Sequence, residues 1–168
     1  MGARRGGRPM RRSGLWSGVV ARRDVRGAAA VEFALIMPIL LILVFGIISY
    51  GYMLSFRQAI SQGAAEGARA AAVSQDPGSQ ESDAIDALNE ALDSYGVTCA
   101  GPDGPLRRND ATVGTCGVEV GACDNDASAD CAEVSVNYDY DANPLLPVPL
   151  VGIALPDNLS YTAVARVS

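Results

Sequence analysis

Phe33 to Leu54 is an unbroken run of twenty-two residues with no charged side chain, and no other feature limits the fold of this chain so strongly. As a helix rising ~1.5 Å per residue it would be about 33 Å long, which matches a bilayer hydrocarbon core of about 30 Å. A cleaved secretory signal has a shorter apolar region, about 7 to 15 residues, ending in a small-x-small site. Here the distal end carries Tyr50, Tyr52, Phe56 and Arg57 instead, residue types suited to anchoring a helix at the membrane interface. The chain is therefore expected to cross a membrane once. Directly before the run stands Glu32, a lone carboxylate whose placement at the edge of a bilayer helix costs a few kcal/mol and calls for a cationic partner.

The charges on either side of the run are segregated. Residues 1–26 hold eight arginines against Asp24, a net +7, whereas residues 57–168 hold five arginines against seventeen acids, a net −12. By the positive-inside rule the arginine cluster stays cytoplasmic and the acidic part is exported. Every cationic side chain is arginine, with no lysine and no histidine. That removes the commonest general base, the Schiff-base amine and the commonest metal ligand, and Ser, Tyr and carboxylates form no recognisable catalytic constellation. No enzyme, metal, cofactor or nucleic-acid partner is expected.

Helical character continues past the apolar run. No proline interrupts Ser55 to Val73, so one helix of about 45 residues, near 70 Å, is expected from Ala28 to about Ser74, with Pro38 removing one backbone bond inside the membrane half. On the outer half Ala59, Gly63, Gly67 and Ala71 recur every four residues and line one face, where another backbone can approach closely. Two occupants are open for that groove, the chain's own head and a partner helix. Asp76-Pro77-Gly78-Ser79 ends the helix. From Ser79 to Ser94, Ile85, Leu88, Ala91, Leu92 and Tyr95 share a stripe opposite five acids, an amphipathic packing helix that Gly96 closes.

Beyond Val97 the helical period gives way to Gly, Pro and Asp-Gly punctuation, and no strand is read before Asn109. Strands are expected at Ala111–Val120, at Ala132–Tyr140, where Val134, Val136, Tyr138 and Tyr140 alternate with polar residues, and at Leu159–Val167. Asn143–Pro156 is rich in proline and reads as a rigid apolar loop. The fold class is α+β: a basic leader (1–27), a long helix (28–74, spanning at about 33–54) and a small exported head (75–168) with one amphipathic helix and an antiparallel sheet.

The four cysteines, Cys99, Cys116, Cys123 and Cys131, all fall in the exported part. Their spacing makes no C-x-x-C knuckle, so disulfides are favoured over zinc, and of the three connectivities we expect Cys99–Cys116 with Cys123–Cys131. Asp124, Asp126, Ser128 and Asp130 place oxygens at alternate positions as calcium loops do, but Ala129 and Ser135 stand where such a loop needs Gly and Glu.

The junction Gly27-Ala28-Ala29-Ala30-Val31-Glu32-Phe33, behind a basic leader and ahead of an apolar helix, resembles the processing site of type IV pilin-like proteins. Together with Ala34-Leu35-Ile36-Met37-Pro38, Gly46 and Ala65-Glu66-Gly67-Ala68-Arg69-Ala70-Ala71-Ala72, it looks like the TadE-like family of tight-adherence (Tad/Flp) pilus proteins, over about residues 26–73. The resemblance implies a non-catalytic minor pseudopilin or accessory protein of the plasma (inner) membrane, with its N-terminus cytoplasmic and its head extracytoplasmic. It implies cleavage by a prepilin peptidase between Gly27 and Ala28, and Phe33, where major Flp pilins carry Tyr, agrees with the pseudopilin branch. Cleavage would leave an α-amine of pKa about 8 on Ala28, and in such assemblies a carboxylate at the position of Glu32 pairs with the amine of a neighbouring subunit. The implied partners are the peptidase, other Tad pseudopilins and inner-membrane assembly components. The alternative reading is an unprocessed single-pass envelope protein whose head binds a ligand.

Overall fold

A computed structural model describes Gly2, residues 23–147 and residues 155–167, with the backbone alone at 23–26. The expectations for the leader before residue 23, and for residues 148–154 of the proline-rich loop, lie outside the described residues. Helix α1 runs Arg23–Val73 over 51 residues. Its described part starts five residues before Ala28, since nothing in Arg23-Asp24-Val25-Arg26-Gly27 stops a helix. Pro38 is accommodated inside it. Every side chain from 28 to 40 is exposed, the large apolar ones included.

Residues 41–168 contain the remainder of α1 and the head. Along α1, Met53, Phe56, Ile60, Ala64, Ala68 and Ala71 are buried at steps of three and four, the spacing that turns one helical face inward. Chain reversal follows at Asp76, whose side chain accepts the Gly78 N–H at 2.9 Å while its carbonyl accepts the Ser79 N–H at 3.0 Å. Helix α2, Gln80–Leu92, buries Ala84, Leu88 and Leu92. Ile85 and Tyr95 pack against the same core half-buried. A 3-10 turn over Asp93–Tyr95 ends at Gly96, which takes a left-handed φ of 65°.

Five antiparallel strands complete the head in the order β1-β2-β3-β4-β5: Val97–Cys99, Asp103–Arg108, Ala111–Cys123, Asp126–Asp139 and Asn158–Arg166. This is an α+β fold with one short helix packed on a meandering sheet. Strands β1 and β2 lie where the sequence reading placed no strand. Arg108 pairs with Ala111 across Asn109 and Asp110, whose φ values of 49° and 66° build the two-residue turn matched to strand twist. The pattern is weak there because β1 has three residues and β2 starts with Asp103-Gly104-Pro105. Strand β4 keeps the expected alternation, with Val134, Val136 and Tyr138 buried, and Tyr140, just past its end, is buried as well.

Two disulfides tie the sheet. Cys99–Cys116 links β1 to β3 past the intervening β2 (Cα–Cα 5.9 Å), and Cys123–Cys131 closes the β3–β4 end (Cα–Cα 5.0 Å). Both halves of the first bridge lie in the core. Replacing Cys99 and Cys116 together by alanine is expected to cost about 3 kcal/mol, chiefly through the freer unfolded chain. In a thermal melt of the head that corresponds to a fall of about 10–20 °C; an unchanged midpoint would show that packing alone holds β1.

Candidate functional site

The junction residues are placed by α1. Gly27 lies inside the helix, and a Cβ added there would meet nothing within 4 Å. Ala28 and Glu32 stand four residues apart, hence on one face a turn apart, and both are exposed. Phe33 is 63% exposed. Glu32 therefore sits directly before the stretch of α1 whose exposed surface is apolar, from Phe33 to Ile48.

The small-residue line on the outer half of α1 has an occupant within the chain. A Cβ on Gly63 would lie 3.0 Å from both Ala91 Cβ and Leu88 Cδ1, and one on Gly67 would lie 2.9 Å from the Ala84 carbonyl oxygen, with Val134 methyls at 3.5 and 3.6 Å. Ala71 is fully buried and Ala59 half-buried. Helix α2 and strand β4 thus fill the groove at Gly63 and Gly67. The face of α1 turned away from the head shows Arg57, Gln58, Gln62, Glu66 and Arg69. Glu66 and Arg69 pair there at 3.4 Å, an exposed contact of little energetic weight.

Sequence reasoning missed two things that hold α1, α2 and the sheet together. Asn89 grips the backbone of Cys99, its Oδ1 accepting the N–H at 2.6 Å and its Nδ2 donating to the carbonyl at 3.3 Å. In this way α2 supplies the hydrogen bonds that edge strand β1 would otherwise leave open. The second is an aromatic cluster. Phe56 lies between Tyr95 (ring centroids 4.9 Å) and Tyr138 (4.8 Å), and Tyr52 meets Tyr95 at 5.7 Å. Ser55 and Tyr95 share a hydrogen bond of 2.7 Å. Burial pushes the Tyr138 hydroxyl above the usual tyrosine range, and that hydroxyl donates to the Asn143 carbonyl at 2.8 Å. The spacing of Tyr52 and Phe56, four apart and hence a turn apart on one helical face, was the available signal.

At the opposite end of β4, Asp124 and Asn125 turn the β3–β4 hairpin, and 126–130 open β4. The Asp126 carboxylate accepts both the Ser128 hydroxyl (2.5 Å) and the Ser128 N–H (3.1 Å), and lies 3.5 Å from the Arg166 guanidinium. The bonds from Ser128 hold its carboxyl below the usual range. Among the described residues no group of three or more Cys, Asp or Glu is arranged to hold a metal ion. Of the four residues that suggested a calcium loop, Asp126 and Ser128 bond to each other instead.

A family model described as TadE-like protein matches residues 27–69. No curated protein and no solved structure matches the chain. The matched segment begins at Gly27, contains Glu32 and Phe33, and ends within the part of α1 that packs on the head.

Proposed function

From a TadE-like segment at residues 27–69, we propose that this chain is a minor pseudopilin or membrane accessory protein of Tad/Flp pilus assembly. It is structural in role, spans the inner membrane once, keeps its leader in the cytoplasm and presents its head outside. The observation that carries the reading is the family match starting at Gly27, on a helix with one stretch apolar enough to cross a bilayer. The stretch within that helix has a mean hydropathy of 2.8 and is wholly exposed. The charge segregation between leader and head supports the orientation.

A prepilin peptidase cuts between Gly27 and Ala28. The new amine on Ala28 is the cation that Glu32 needs, supplied by a neighbouring pseudopilin, while Phe33 fills the adjoining apolar contact. Ala59, Gly63, Gly67 and Ala71 serve the joint between α1 and its own head, so helix partners in an assembly meet the other faces of α1.

N-terminal sequencing of the protein from cells that express the cognate peptidase tests this. A mature chain starting at Ala28 is expected, and an intact leader would overturn the processing step. Glu32→Ala is expected to insert in the membrane at wild-type levels yet to be lost from co-purified pilus components; normal recovery would remove the paired-charge contact.

A further inference from the structure

Where the head meets α1, the same residues are claimed by two environments. Up to Ile48 the helix is exposed and apolar, as Leu43, Val44, Phe45, Ile47 and Ile48 show at 59, 40, 47, 66 and 53%. From Ser49 one side closes: Ser49 and Phe56 are 0% exposed and Met53 3%. The other side remains open at the same level, with Tyr50 at 50% and Leu54 at 39%. Ser49 to Leu54 therefore belong at once to the membrane-length run and to the segment docked on the head. A bilayer ending below Ser49 would leave only Phe33–Ile48, about 24 Å of helix, to fill a core of about 30 Å. It would also leave Tyr50 and Leu54 facing water.

The end of the head nearest the bilayer can be read from the contacts of β4. Along that strand Val134 faces Gly67 and Tyr138 faces Phe56, and the Tyr138 hydroxyl reaches the Asn143 carbonyl at 2.8 Å. Strand β4 thus descends antiparallel to α1, and the loop that follows lies level with the last turns of the apolar run. The loop is Asn143-Pro144-Leu145-Leu146-Pro147, with Leu145 buried against the core, Leu146 half-buried and Pro147 exposed. Asp141 and Asp157 are exposed beside it, so immersion stops at the depth of the lipid headgroups.

We propose that the loop Asn143–Pro147 and the open face of α1 at Tyr50 and Leu54 form one lipid-binding rim. This rim seats the head in the interfacial layer of a zwitterionic phospholipid bilayer. The surface is continuous with the spanning run, its aromatic and prolyl groups suit the interface, and its flanking acids disfavour anionic lipid. This inference rests on the spanning reading given above. It makes the head a body fixed on the membrane surface, not one held off it by a stalk.

The test uses the full chain with its only tryptophan removed (Trp16→Phe), reconstituted in phosphatidylcholine vesicles whose lipids carry bromine at defined depths. Single tryptophans are placed by Val44→Trp in the span, Leu146→Trp and Tyr50→Trp on the rim, and Val164→Trp on β5 as the distant control. Val44→Trp is expected to lose emission to deep bromines. The two rim variants should lose it to shallow ones, with a blue shift, and Val164→Trp should lose none. Rim variants quenched no more than Val164→Trp, beside a quenched Val44→Trp, would overturn the rim alone. An unquenched Val44→Trp would overturn the spanning reading and the rim together. Tyr50→Trp, on an exposed helical face, keeps the result decisive if Leu146→Trp disturbs folding.

Discussion

Gly114→Ala is expected to lower the melting temperature of the head by about 10–20 °C or to prevent its folding, a loss of about 3 kcal/mol or more. Gly114 sits on β3 opposite both Leu106 of β2 and Tyr138 of β4, next to the register shift between Leu106 and Arg107 that leaves Val113 without a partner on β2. A Cβ there would be 2.0 Å from the Asn137 carbonyl oxygen and 3.0 Å from the Tyr138 Cα. All its nearest neighbours are backbone, so no side chain can rotate aside. Relief requires β3 and β4 to part by about 1 Å where Tyr138 joins the core, and interiors at native density resist such a shift. Gly121→Ala is the matched control on the same strand, since a Cβ there meets nothing within 4 Å. Melting both variants by circular dichroism separates the close approach from a general effect of removing glycine; equal midpoints would refute it.

The second large effect is expected for Gly67→Leu, about 3 kcal/mol of head stability. Leucine is a better helix former than glycine by nearly 1 kcal/mol, so the intrinsic propensity of α1 changes in the opposite direction. The loss arises where α1 and α2 cross, because the Ala84 carbonyl already stands 2.9 Å from the position of a Cβ. Separating the helices would withdraw Ala84 and Leu88 from the core and loosen the grip of Asn89 on β1. Gly51→Leu, on an exposed position of the same helix with open space around it, should leave the midpoint unchanged. Identical melting of Gly67→Leu and the wild type would show that the small-residue line is not a packing joint with the head. It would return that face to a partner helix.

Much of the architecture was legible because its signals are local. The uncharged run Phe33–Leu54, the stripe Leu88–Leu92 of α2 and the alternation Val134, Val136, Tyr138, Tyr140 each repeat with the period of one element, and short windows suffice to read them. Strands β1 and β2 were not legible in that way. Their alternation is broken by Gly104 and Pro105, and the Asn109-Asp110 turn that joins β2 to β3 lacks the glycine of the strongest hairpin signals.

The sequence alone determined that a long helix would carry an apolar, bilayer-length stretch with a carboxylate at its head, and that a small α+β unit would follow. Hydropathy and charge order act along the chain, and no distant contact can revoke them. Only the tertiary structure decided that α2 and β4 occupy the groove at Gly63 and Gly67, that Gly114 marks a strand approach no side chain fits, and that Asn89 completes an edge strand. Each of these depends on groups far apart in the chain meeting within a few ångströms. The same holds for the end of the apolar run: hydropathy extends it to Leu54, whereas one side of the helix is already buried from Ser49.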